Sequence, residues 1–169
     1  MGDEPPEPRS TVVVVDERVD PATGPGVDAE RWGRLAADVL AEEGLRDPRV
    51  ELTVHFVDER PIADLKAEHL DGDGGPTDVL AFPVDDPGGV PAGEPVLLGD
   101  VLICPSVADR QAAGAQRPYE DEVALLLVHG ILHLLGHDHA ESEETAAMQQ
   151  RERELLGLLH ESTTGGAAR

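Results

Sequence analysis

His129-Gly130-Ile131-Leu132-His133-Leu134-Leu135-Gly136-His137-Asp138-His139 is the segment around which the rest of the chain is arranged. A helix advances about 100° per residue, so His129 and His133, four apart, share a face one turn from each other. Gly136 follows the last apolar turn, where helices often end in a left-handed residue that glycine adopts without a Cβ clash. The chain then reverses and brings His139 back toward the first two histidines. Three neutral imidazoles with an open fourth position are the ligand set of a catalytic zinc, not a structural one. A lone His-x-x-x-His on an apolar helix is more often core or surface histidine. Here four of the seven histidines fall in one segment, and the spacing predicts one zinc ion per chain on His129, His133 and His139. His137 follows Gly136 directly and leaves the helix before the chain has room to turn, so it is not the expected third ligand.

With 169 residues the chain can bury a substantial core. It is read as one domain over residues 11–160 with disordered tails at 1–10 and 161–169. The hydrophobic fraction is 40% and the aromatic fraction 2%, so the core must be aliphatic. A lone cysteine, Cys104, cannot form an internal disulfide, and the acidic, proline-rich start does not resemble a signal peptide. Both point to the cytoplasm. No apolar run approaches the length of a membrane span. The formal charge is −22, from 35 acidic and 13 basic residues, with Lys66 the one lysine. Proteins that bind phosphate backbones normally carry a basic stripe, so neither DNA binding nor broad nucleic-acid affinity is expected.

In chain order, Thr11–Val15 is a β-branched run that suits a buried strand. Asp28 is a plausible N-cap for a helix with apolar residues at 32, 35, 36, 39 and 40, and Gly44 is a natural stop. Val50, Leu52, Val54 and Phe56 alternate with polar neighbours as a strand with one face on the core, which puts His55 on the other face. Residues 58–70 read as a short helix, and Asp71–Pro76 as a loop. That loop lacks the glutamate a calcium site needs at its twelfth position, where Phe82 stands. Residues 77–84 and 96–104 read as strands joined by a mobile loop, with Gly99 marking a bulge or a close backbone approach. A short helix from Pro105 follows. Pro118 and three acids then open the histidine helix, whose Ala124–Val128 run is apolar all round and so belongs at the centre of the fold. A last helix runs to about Leu159. The expected class is α+β: a small mixed four-stranded sheet packed with about five helices, the metal site on a central buried helix.

Metzincin zinc proteases share the spacing His-x-x-x-His-x-x-Gly-x-x-His, but they carry a glutamate general base where this chain has Gly130. The glycine version resembles the YbeY family of endoribonucleases, rRNA maturation factors. Further matches are Glu51–Val54 with Val57-Asp58, then Pro76-Thr77-Asp78-Val79-Leu80-Ala81-Phe82-Pro83, and Leu98–Val101 with Ile103-Cys104. The resemblance covers about residues 50 to 140. It implies a zinc-dependent endoribonuclease specific for single strands, acting in 3′-end maturation of 16S rRNA and in ribosome quality control. The implied partners are small-subunit rRNA and ribosomal or ribosome-biogenesis proteins, with no membrane and no DNA. His129, His133 and His139 are the implied ligands, and His137 sits where tyrosine is common.

Many relatives also carry an arginine just before the Pro-Thr-Asp-Val segment, where this chain has His69-Leu70-Asp71. Arg110 or Arg117 is the candidate to hold substrate phosphate in its place, unless the ribosome supplies the binding. Asp138 is a candidate base or partner for a ligand histidine; with Glu141 it equally fits a capping box for the last helix. Asp78 and Asp100 are expected to be structural and Cys104 a buried small hydrophobe. Three readings remain: an RNA hydrolase, a zinc protease without its usual base, and a ribosome-associated factor with a structural metal.

Overall fold

The computed structural model describes residues 8–20, 24–69, 79–136 and 142–160. Strand β1 (Thr11–Asp16) leads through helix α1 (Ala29–Glu42) to β2 (Val50–Phe56), then α2 (Glu59–His69) and β3 (Val79–Pro83). After a short 3-10 turn at Pro87–Gly89 come β4 (Val96–Ile103), α3 (Pro105–Gly114), α4 (Tyr119–Leu134) and α5 (Ser142–Leu159). The strands form one mixed sheet in the order β1-β2-β4-β3. The first three are parallel and β3 runs antiparallel to β4.

Alternation in β2 works as its sequence implies. Val50, Leu52, Val54 and Phe56 are buried in the main core with side chains of α1, α4 and α5, while His55 points to the opposite face. That second face carries a smaller cluster of Val57, Ile62, Leu80, Leu102 and Cys104, so part of it is covered as well. Helix α1 begins and ends where its signals stand: Asp28 accepts from the Arg31 amide, and Gly44 takes a left-handed φ of 90°.

One expectation is corrected. Thr11–Val15 does not form a buried strand; β1 is the sheet edge, with Val13 39% exposed and only Val12 and Val14 partly buried against the core. An unbroken β-branched run favours extended backbone wherever it lies, and at an edge only one flank and one face find partners.

The bulge expected near Gly99 is present. The β2–β4 register slips by one residue, from Glu51 opposite Leu97 to Leu52 opposite Gly99. Gly99 lies so close to β3 that a Cβ there would strike the Phe82 carbonyl and come within 2.9 Å of Leu134 Cδ2. This close approach lets the end of α4 settle onto the β3–β4 pair. No helix among the described residues is long and apolar enough to cross a membrane.

Candidate metal centre

Helix α4 is nearly surrounded. Val123, Ala124, Leu126, Leu127, Val128, Ile131 and Leu132 are buried, and each fully buried Val or Leu side chain contributes roughly 1.5–3 kcal/mol. Asp121, Leu125, His129 and His133 are less buried, and their spacing of four puts them in line on one face. This line carries the candidate centre. The His129 and His133 rings lie nearly parallel, 10° between planes and 6.3 Å between centroids. Gly136, with φ of 99°, ends the helix as its position in the sequence predicts, and its amide reaches the His133 carbonyl at 3.1 Å.

Helix α5 completes this arrangement. Glu152 Oε2 accepts from His129 Nδ1 at 2.5 Å, and the carboxylate is almost wholly buried. With the proton on Nδ1, the Nε2 lone pair is left to act as a donor to a metal. A carboxylate behind a ligating imidazole fixes the ring and raises its basicity, as in many zinc sites. The residues present therefore fit a metal in donor chemistry.

Sequence reasoning missed Glu152, although a signal was there. Met148, Glu152, Leu155 and Leu159 are spaced four, three and four apart, so the carboxylate stands on the apolar stripe of α5, where an ordinary surface glutamate does not belong.

Two of the three expected ligands, His129 and His133, are thus brought together. His139 lies outside the described residues, as do His137, Asp138, Glu141 and Asp78. Among the described residues no group of three or more His, Cys, Asp or Glu is placed to hold a metal. Arg110 is exposed on α3, where it grips Glu59 through both terminal nitrogens, at 2.7 and 3.1 Å. That ion pair, helped by Ser106, holds the Glu59 carboxyl below the usual range. Arg117 precedes α4, with Nε 3.1 Å from the buried Glu122 carboxylate. Asp100 bonds to His55 on the outer face of the sheet, and Cys104 is fully buried with Sγ 3.4 Å from Ser106 Oγ.

Gly130 has a packing explanation. A Cβ there would lie 2.8 Å from Val101 Cγ1 and 3.5 Å from Val79 Cγ2, inside the contact between α4 and the sheet. The position faces the core, so a glutamate would have no route from it to the line of histidines.

Comparison with known proteins agrees with the motif. A family model described as endoribonuclease YbeY matches residues 22–160. A protein of Thermobifida fusca named endoribonuclease YbeY is 49% identical over 144 residues, 82% of this chain and 91% of that protein. One of the same name from Kineococcus radiotolerans is 46% identical over 153 residues, 88% of this chain and 87% of its own. The solution structure of TM1509 from Thermotoga maritima shares the fold, with a TM-score of 0.52, 23% identity and coverage of 87% of this chain and 90% of that one.

Proposed function

The chain belongs to the endoribonuclease YbeY family, and on that premise we propose that it is a zinc-dependent endoribonuclease of the cytoplasm that cleaves single-stranded RNA in maturation of the 16S rRNA 3′ end and in ribosome quality control. The observation that carries the reading is the pair His129 and His133 on one line of α4, with His129 held at Nδ1 by Glu152. His129, His133 and His139 would hold the zinc. When bound, zinc supplies Lewis-acid chemistry, acidifying water toward a pKa of about 7 and polarising a phosphoryl oxygen.

The chain's own residues supply the rest. Glu152 keeps the proton of His129 on Nδ1 and the ring in place. Burial of α4 on the sheet fixes both histidines on a rigid element, which favours reproducible geometry at a reacting phosphate. Asp138 is proposed as a base close to the ligands, and Arg117, whose Nε lies 3.1 Å from Glu122, as a holder of substrate phosphate through its remaining N–H groups. The net charge of −22 disfavours tight binding to free RNA, so small-subunit rRNA presented by ribosomal or biogenesis proteins is the proposed substrate. Gly130 argues against the protease reading, because the position of the missing base faces Val101 and Val79.

The test is cleavage of a small-subunit rRNA precursor by zinc-loaded protein, with His133→Ala as control and elemental analysis of both. The reading expects close to one zinc per chain and cleavage near the 3′ end, both lost in the variant. Gently purified protein with negligible zinc, or equal cleavage by the variant, would refute it.

A further inference from the structure

The line Asp121, Leu125, His129, His133 continues beyond the histidines into a cavity of about 550 Å³ between α4 and α5, lined among others by Arg117, Leu125, Glu152, Arg153, Leu156 and His160. The helices run antiparallel there: His129 meets Glu152, and eight residues earlier Asp121 meets His160 Nε2 at 2.8 Å. Eight residues of helix span about 12 Å. Glu152 belongs both to the cavity and to the histidine site, so the two are continuous.

The chemistry of the lining is specific. The acids close to the cavity are each engaged, Glu152 with His129, Asp121 with His160 and Glu122 with Arg117. Arg153, by contrast, is exposed and lines the same cavity. Two arginines facing one cavity stand out in a chain with 13 basic and 35 acidic residues. Between the charged groups lie Leu125 and Leu156, an apolar patch suited to the face of a base. Gly157 also lines the cavity, and a Cβ there would meet nothing within 4 Å. Glycine inside a helix costs about 1 kcal/mol relative to alanine, and the open space leaves room to introduce a larger side chain at the groove.

We propose that this groove holds a nucleotide of the substrate strand adjoining the one at the histidines, its phosphate at Arg117 and Arg153 and its base on Leu125 and Leu156. The proposal deepens the ribonuclease reading and rests on it for the identity of the strand. It also gives single-strand preference a physical cause, because a base must be unstacked before it can enter such a pocket.

Cleavage of a short fluorescent single-stranded RNA by zinc-loaded protein, together with anisotropy binding on a His133→Ala background, tests the idea. Arg153→Glu should raise KM about tenfold, the loss expected for a charge-assisted contact, with kcat nearly unchanged. Arg153→Ala should reduce the slope of log affinity against log salt by about 0.7, one phosphate contact on a single strand. Gly157→Leu should weaken binding while raising thermal stability, which separates a filled groove from a damaged fold. Arg34→Glu makes the same charge change on an exposed side chain of α1 outside the cavity lining and should leave both constants alone. If the Arg153 and Gly157 variants bind and cleave as the parent does, the groove is not a subsite and the ribonuclease reading survives. A fall in kcat at constant KM would also overturn the proposal, because the residues would then act through Glu152. If the parent chain cleaves no RNA yet its binding still depends on Arg153 and Gly157, the subsite stands and the catalytic reading falls.

Discussion

Among the described residues His55, His129 and His160 each meet a carboxylate, and the first two are held differently. His129 has one ring nitrogen on Glu152, in a nearly buried contact between two helices. His55 has both nitrogens engaged: Nδ1 with Glu17 and Nε2 with Asp100 at 2.8 Å, so that one ring links the segments of β1, β2 and β4 across the outer face of the sheet. A carboxylate on Nδ1 fixes the orientation of the His129 ring. An imidazole held at both nitrogens has no donor left and serves as a clasp. Burial works against the charged form of His55, but the hydrogen bonds to Asp100 and Glu17 more than offset it and raise the pKa above its ordinary value.

The largest expected contrast is in metal content. His129→Ala should reduce zinc from about one per chain to a trace, whereas His55→Ala should leave it unchanged; elemental analysis of the two proteins side by side decides this, and equal losses would erase the distinction. Next in size is Glu152→Ala, which should weaken zinc affinity by about 10 to 100-fold, the usual cost of removing the group behind a ligand histidine. Glu152→Gln should lose less, since its amide oxygen still accepts from Nδ1. Chelator competition titrations measure both, and a Glu152→Ala protein with parental affinity would make the contact incidental.

The smallest effect belongs to the clasp. Because the His55 pKa is raised in the fold, its contribution is fully present below the unfolded value of about 6.5 and is lost as pH rises through the folded value. His55→Gln should therefore cost about 1 kcal/mol in mildly acidic buffer, a modest figure because both carboxylates are substantially exposed, and less in alkaline buffer. Urea melts of both proteins across that range check the sign. Zinc retention should move the opposite way, falling as the solution is acidified, because a protonated imidazole cannot ligate.

Much of this arrangement was legible in the residues themselves, and the rest hid for identifiable reasons. Asp28 and Gly44 bound α1 because capping is local, and the β2 alternation declared its two faces because period two needs no tertiary information. The pairing of His129 with His133 followed from helix geometry alone. Glu152 did not, since its partner is 23 residues away and only the packing of α5 on α4 joins them. Gly130 was readable as an absent base but not as a packing requirement, which depends on Val101 from another strand. The edge position of β1 was equally hidden, because strand order is a property of the whole sheet.

The contact between His129 and Glu152 spans two helices, and this ties chemistry to mechanical attachment. Anything that binds His129 in its held orientation also favours α5 docked against α4, by RT ln(1 + [L]/Kd), about 2.7 kcal/mol at a hundredfold excess over Kd. Opening of α5 and emptying of the histidines then become linked events. Amide protons along α5 should exchange slowly while zinc is bound and faster after chelation, so the C-terminal helix reports the occupancy of a site to which it contributes a single carboxylate.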